Sequence, residues 1–328
     1  MAVFHAPLSR DGPGLLLRDI EAREREVTAV VALIGVVQPD VIALTNFDYD
    51  ADGLALSAFQ RLLDENGVML PFAYAPRPNS GRPSGIDIDQ DERLGEPEDA
   101  VGYGRFWGDG GVAVLSRWAI DLEKRSVDTD TLWADVPNAS LPDMTDAHLL
   151  GALPVSTSAH VQAWIDHPDD PFAILTSAST APVFDGPEDR NGYRNAAELA
   201  HWREMIADIE VPFVLAFNAN LDPIDGEGHH QKMLELLASP DLIDTEPRST
   251  GGHENADSSH AGDPALDTVD WDGPSPGNLR VSYVLPSAGW SVLEAGVFWP
   301  GREDVDAALV EAVGPHRLVW AEISLKSD

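Results

Sequence analysis

An α/β fold is predicted by three features of the sequence. Short apolar runs bounded by turn residues recur along the chain, and stretches with helical apolar spacing fall between them. Hydrophobic residues make up 43% of the 328 positions, enough for a large core. No long Gly/Ser or Pro linker divides the chain, so one domain over 1–328 is expected.

In chain order, Ala2 to Phe4 begins a strand, because three apolar residues precede a polar turn. Val27, Val30, Val31 and Ile34 repeat at helical spacing and predict a helix within Asp19 to Val37. Val41 to Thr45 is a continuous apolar run, the mark of a strand buried on both faces, and a helix from Leu54 to Glu65 follows it. Further strands are predicted at Val112 to Ser116, His160 to Ile165 and Phe172 to Thr176, then a helix over Asp189 to Ile209. The second half continues with strand Phe213 to Phe217, helix His229 to Ala238, and strands Leu279 to Leu285 and Ser291 to Phe298. A helix near Asp304 to Val313 leads into a last strand, Leu318 to Leu325. Residues 75–111, 125–150 and 244–277 are rich in Gly, Pro, Asp and Ser and predict long functional loops.

Charge and composition exclude several functions. Lys and Arg total 21 against 56 Asp and Glu, a net charge of -35, and the lysines are only Lys124, Lys232 and Lys326. Nucleic-acid affinity comes largely from cations that displace counterions on phosphates, so general nucleic-acid binding is disfavoured, as is an anionic membrane. The acidity reads first as a solubility or salt adaptation. With no cysteine, disulfides, thiolate metal sites and a Cys nucleophile are excluded. No run approaches the length of a membrane helix, and MAVFHAPLSRDG lacks the basic flank and apolar stretch of a signal peptide. A soluble, cytoplasmic protein is expected unless a leader has been removed.

Several segments together resemble the endonuclease/exonuclease/phosphatase superfamily of metal-dependent phosphoesterases, in a bacterial branch. They are LSRDGPGLLLRDI, VIALTNFDYD, PNSGRPSGIDIDQDERLGEPEDAVGYGRFWGDGGVAVLSRW, APVFDGPEDRNGYRN, NANLDPIDGEG, GDPALDTVDW, NLRVSYVLPS, GVFWP and HRLVW. The resemblance implies two β-sheets packed face to face with helices outside, a four-layer α/β/β/α sandwich. Its active groups would stand at strand ends along one edge. It also implies hydrolysis of a phosphate ester, with carboxylates holding Mg²⁺ or Mn²⁺, a His on the phosphoryl group and an Asp that activates water.

At those positions the chain departs from the family. The first strand reads His5 where an Asn is usual. The metal-binding Glu before FDYD is Asn46, and the catalytic His before APVFDG falls on Ala178. The water-activating Asp is Asn218, with Asn220 in the second slot of FNAN, and the strand Asp of NLRVSYVLPS is Ser282. Asp222 is four residues past Asn218, on the strand-to-loop exit, and would point elsewhere. Of the proton-transfer groups only His316, in GPHRLVW, matches, while Arg190, Asn191, Asp185 and Asp267 keep the surrounding framework. The expectation is an inherited fold whose phosphoesterase site is impaired and whose cleft binds a ligand of unknown identity. The alternative is an active phosphoesterase with a variant site of His5, Asn46, Asn220 and His316 on a transition metal such as Mn²⁺, since imidazole suits such ions better than Mg²⁺.

A second candidate is the segment Asp87 to Glu98. Asp87, Asp89, Asp91 and Glu98 occupy positions 1, 3, 5 and 12 of an EF-hand-like loop, the spacing that converges oxygens on Ca²⁺. Glu92 replaces the usual turn Gly, Pro97 interrupts the end, and helical flanks are missing, so a solvated acidic loop is the plainer reading. A third view of the protein makes such a Ca²⁺ loop more important than the old cleft. His229, His230, His253 and His260 are expected at the surface, and Phe106, Trp107, Phe298 and Trp299 in core and loop packing. No nucleophile elbow, P-loop or dinucleotide fingerprint is present.

Overall fold

The computed structural model of the chain describes residues 1–143, 147–258, 260–271 and 276–326. In chain order its first elements are β1 (Ala2–Phe4), α1 (Leu15–Ala22), α2 (Arg25–Val37), β2 (Val41–Phe47), α3 (Leu54–Glu65), β3 (Phe72–Tyr74), β4 (Gly111–Ser116) and β5 (Ile120–Asp128). Then come α4 (Ala147–Gly151), β6 (His160–Ile165), β7 (Phe172–Thr176), α5 (Arg190–Ala207), β8 (Phe213–Asn218), α6 (His230–Leu237) and α7 (Thr250–Glu254). The last are β9 (Val269–Asp270), β10 (Asn278–Leu279), β11 (Ser282–Pro286), β12 (Trp290–Val297), α8 (Ala307–Ala312) and β13 (Val319–Leu325).

Two mixed sheets form, in the orders β12-β13-β1-β2-β4-β3 and β11-β8-β7-β6-β5, while β9 and β10 make a small separate pair. Alternation along the strands shows why the sheets stack. Val41 and Ala43 of β2 and Val214 and Ala216 of β8 meet in the core between the sheets. Ile42 and Leu44, on the opposite face of β2, pack under α1, α2 and α3. Phe213, Leu215 and Phe217 of β8 pack under α5 and α6. Burial on both faces is the reason these strands read as unbroken apolar runs. The result is the four-layer sandwich.

The structure corrects the element boundaries in three places. The helix expected within Asp19 to Val37 is two helices, because Arg23 takes a left-handed conformation (φ 53°) and its N–H caps the carbonyls of Asp19 and Ile20. The strand expected over Leu279 to Leu285 is β10 plus β11, broken where the backbone N–H of buried Arg280 turns to Asp222 Oδ2 (2.6 Å). The nine-residue β5 falls in a stretch given no strand: as the edge of its sheet it carries IDLEKRSVD, mostly polar and exposed. No helix of the described residues is long and apolar enough to cross a membrane.

Candidate functional site

Strand polarity gathers the candidate residues at one edge. β1 and β2 run parallel, so His5, just past β1, and Asn46, near the end of β2, emerge on the same side. β8 ends at Asn218, and the antiparallel register of β11 places Ser282 directly opposite it. His316 approaches β13 from the same edge and bridges to Val269.

Five of these residues meet. Asn218 Nδ2 lies 2.9 Å from His5 Nδ1 and 3.0 Å from Asn220 Oδ1. Its Oδ1 accepts from the Asn220 N–H (3.4 Å) and, loosely, from Ser282 Oγ (3.4 Å). An amide NH₂ only donates, so His5 Nδ1 accepts and the ring proton sits on Nε2, an assignment made from the network. Thr45 Oγ1 is a second neighbour of His5 Nδ1 at 3.2 Å. The His316 ring lies against His5 with centroids 4.3 Å apart and planes tilted by 47°, and it meets Trp271 edge-on at 5.2 Å.

Burial sets the electrostatics. It lowers His5 to a pKa of about 4, and it pushes His316 well below its ordinary value, with His5 and Arg317 adding to the shift. Both imidazoles are therefore neutral at pH 7, and among the described residues the buried His316 Nδ1 has no hydrogen-bond partner. Among the described residues, none of the hydrogen bonds made by the side chains of His5, Asn218, Asn220 and Ser282 goes to a carboxylate.

Asn46 and Ala178 are near the edge but outside this network. Asn46 donates from Nδ2 to Ala6 O (3.0 Å). Its Oδ1 lies close to Gly110, whose left-handed φ of 62° and lack of Cβ let the chain pass there. Ala178 forms a parallel bridge to Asn218, and its N–H and C=O are both tied to Ser158 Oγ (3.0 and 2.8 Å). Asn220 sits at φ 50° and donates from Nδ2 to Ser179 O (2.6 Å). Arg190, Asn191 and Asp185 are framework groups: Asp185 accepts the Asn191 N–H, Asn191 Nδ2 holds Val183 O, and Arg190 holds Ile88 O.

Behind the cleft lies a group of acids. Asp222 turns away from Asn218 and accepts three backbone N–H groups, from Ile224, Asp225 and Arg280. His260 Nε2 stands 3.3 Å from Asp225 Oδ2 and 3.6 Å from Asp267 Oδ1. Asp267 is 1% exposed, its Oδ2 has no partner among the described residues, and burial, reinforced by the charges of Asp222 and Asp225, raises its pKa to about 8. The expectation of surface histidines holds for His253, which is exposed, and is corrected for His260, whose side chain is only 5% exposed. His229 and His230 are half-buried as well, against Asp189 Oδ2 and Asp222 O (both 2.7 Å).

In the acidic loop the structure brings Asp87 and Asp89 together with Asp99, each offering an oxygen within 4.8 Å of the others. Asp91 and Glu98 are not part of that group. Asp99 is buried, with its oxygens on the N–H groups of Ile88 and Gly95, while Asp87 accepts those of Asp91 and Glu92. Sequence reasoning missed Thr45, Trp271 and the buried Asp48, which accepts the Arg10 and Gly110 N–H groups beside Asn46 (2.9 and 3.0 Å). Burial raises Asp48 to about 6. Its place within FDYD, directly after the strand, was the only available signal.

A two-sheet sandwich with helices outside and polar groups at the ends of β1, β2, β8 and β11 defines an architecture used by phosphoesterases. The chain belongs to the endonuclease/exonuclease/phosphatase family, whose model matches residues 14–321. Solved structures share the fold. One is an endonuclease/exonuclease/phosphatase from Beutenbergia cavernae, 15% identical with a TM-score of 0.59, covering 100% of this chain and 72% of that one. A family protein from Leptotrichia buccalis is 14% identical with a TM-score of 0.55, covering 99% of this chain and 100% of its own. The catalytic domain of human nocturnin, solved with bound sulfate, is 13% identical with a TM-score of 0.53, covering 99% and 94%. A search of curated proteins found no match.

Proposed function

We propose that this chain is a non-catalytic member of its family, a binding protein that keeps the cleft and lacks the phosphoesterase chemistry. The observation that supports this is the uncharged network of His5, Asn218, Asn220 and Ser282. The family's Mg²⁺ or Mn²⁺ needs anionic oxygens, and the residues at the inherited positions do not fit a hard cation. Asn46 offers one neutral oxygen, its NH₂ being committed to Ala6, and Asn218 turns its NH₂ toward His5. A general base must also hold a proton near working pH. An amide does not do so, and His5 binds one only near pH 4. No hydrolytic step is therefore derived. The half-buried His5, Asn46 and Asn220 offer imidazole and amide groups to a small ligand, and the surroundings disfavour a nucleic-acid polymer, the chain carrying a net charge of -35.

A second reading, an active enzyme with a variant site, draws on the close pair His5 and His316 and on His316 Nδ1, unpartnered among the described residues. Neutral imidazoles suit Mn²⁺ or Zn²⁺, with Asn46 and Asn220 beside them. Calorimetric titration of Mn²⁺ and Zn²⁺ separates the two. The first reading expects no binding that depends on the pair. Micromolar binding in the parent that disappears in a His5→Ala/His316→Ala variant would establish the second.

A further inference from the structure

A carboxylate taken out of water needs hydrogen-bond donors or a cation in exchange. In the acidic pocket, donors account for two of three acids. Asp222 accepts three backbone N–H groups, and Asp225 accepts those of Ala261 (2.9 Å) and Gly262 (2.8 Å). Asp267 is the third, and among the described residues its buried Oδ2 has no partner. No Lys or Arg of the described residues answers any of the three, because Arg248, Arg280 and Arg317 are paired with Asp263, Asp244 and Asp270 instead.

The imidazole of His260 is turned to these acids, with Nε2 at 3.3 Å from Asp225 Oδ2 and 3.6 Å from Asp267 Oδ1. Both separations are long for a charge-assisted N–H···O bond, which runs about 2.7–2.9 Å, and one N–H aims at one acceptor. They are close to the spacing of two ligand atoms on one metal: bonds of about 2.0–2.1 Å in a tetrahedron set neighbouring ligands about 3.3–3.5 Å apart. Gly262 keeps the space beside them open. A Cβ there would lie 3.0 Å from Asp225 Oδ2 and 3.4 Å from His260 Nε2.

We propose that His260, Asp225 and Asp267 bind one Zn²⁺ ion through His260 Nε2 and one oxygen of each carboxylate, with the fourth position left to water. The cation supplies the charge that the buried Asp267 lacks, and it fastens residues 260–267 to the turn after β8. An imidazole ligand and few oxygens favour Zn²⁺ over Ca²⁺ or Mg²⁺, which take six or more oxygens. None of the three ligands stands at the positions of His5, Asn46, Asn218, Ser282 or His316, where the family resemblance puts the catalytic groups, so the site is independent of the inherited cleft.

Calorimetric titration of Zn²⁺ into the full chain, stripped with EDTA and dialysed, tests it. One saturable site per chain is expected, weakened about tenfold or more by His260→Gln and by Asp267→Asn, each of which removes a ligand and keeps the side chain near its parent size. Far-UV circular dichroism of both variants should match the parent, and His5→Ala/His316→Ala should keep the site. Co²⁺ in its place should give the visible absorption of a four-coordinate ion. In urea melts at pH 7, Zn²⁺ should stabilise the parent relative to EDTA and leave Asp267→Asn unshifted. Absence of saturable Zn²⁺ binding, an affinity unchanged in both variants, or loss in His5→Ala/His316→Ala with His260→Gln unaffected would each overturn the proposal.

Discussion

The inherited cleft and the acidic pocket behind it handle buried polarity in opposite ways. In the cleft, side chains bond to side chains through neutral groups, as Asn218 does to His5 and Asn220. In the pocket, carboxylates answer backbone donors: Asp222 satisfies three N–H groups and Asp225 takes those of Ala261 and Gly262. Asp48, beside Asn46, does the same for Arg10 and Gly110. The acids retained near the site are thus used by the fold itself. On the reading proposed above, the positions now holding Asn46, Asn218 and Ser282 are those where a carboxylate would have needed a cation to offset its burial.

Removing a member of each region is the strongest way to break this contrast. Asp222→Ala orphans three backbone donors and should cost about 3 kcal/mol or more in urea unfolding, given ~1–3 kcal/mol for each buried group left unsatisfied. A cost below that of a surface substitution would remove the structural role assigned to Asp222. The next effect is the acid limb of stability. Burial lowers His160 to about 3, so its unfolded form takes a proton at higher pH than the folded one. The stability it carries is full above about pH 6.5 and is lost as pH falls toward 3, by as much as about 3 kcal/mol at pH 4. Denaturant melts of His160→Gln should show a flatter acid limb, and a parallel profile would contradict the shift.

Asp267 carries the opposite sign. Its folded pKa of about 8 lies above the unfolded value, so its contribution is present below about pH 4 and lost as pH rises through 8. In EDTA, Asp267→Asn, fixed in an uncharged form, should be nearly equal to the parent at pH 4 and more stable than it at pH 9, the gap opening as pH rises. The smallest effect belongs to the cleft: Ser282→Ala deletes one long contact of 3.4 Å and should cost less than about 1 kcal/mol, measured the same way.

Much of the fold was legible because buried strands announce themselves. Val41–Phe47 and Phe213–Asn218 are apolar on both faces and could be placed from sequence alone. β5 could not, since an edge strand rich in charges resembles a loop, and β3 is only three residues long. The break at Arg23 depends on a left-handed φ for which a non-glycine residue gives no sequence cue. For the site, the family resemblance pointed to His5, Asn218, Ser282 and His316, and the β8–β11 register sets Asn218 opposite Ser282. Thr45, Trp271 and the raised Asp48 and Asp267 were not legible, because burial and ring contacts arise from tertiary packing.

The central claim is that the cleft binds without turning over. Its most direct test is hydrolysis of bis(4-nitrophenyl) phosphate by the purified full chain with Mg²⁺ or Mn²⁺. The account predicts release of nitrophenol no faster than in protein-free controls containing the same metal. Turnover at ordinary enzymatic rates, on the order of 1 s⁻¹ or faster, and lost in His5→Ala/His316→Ala, would contradict it.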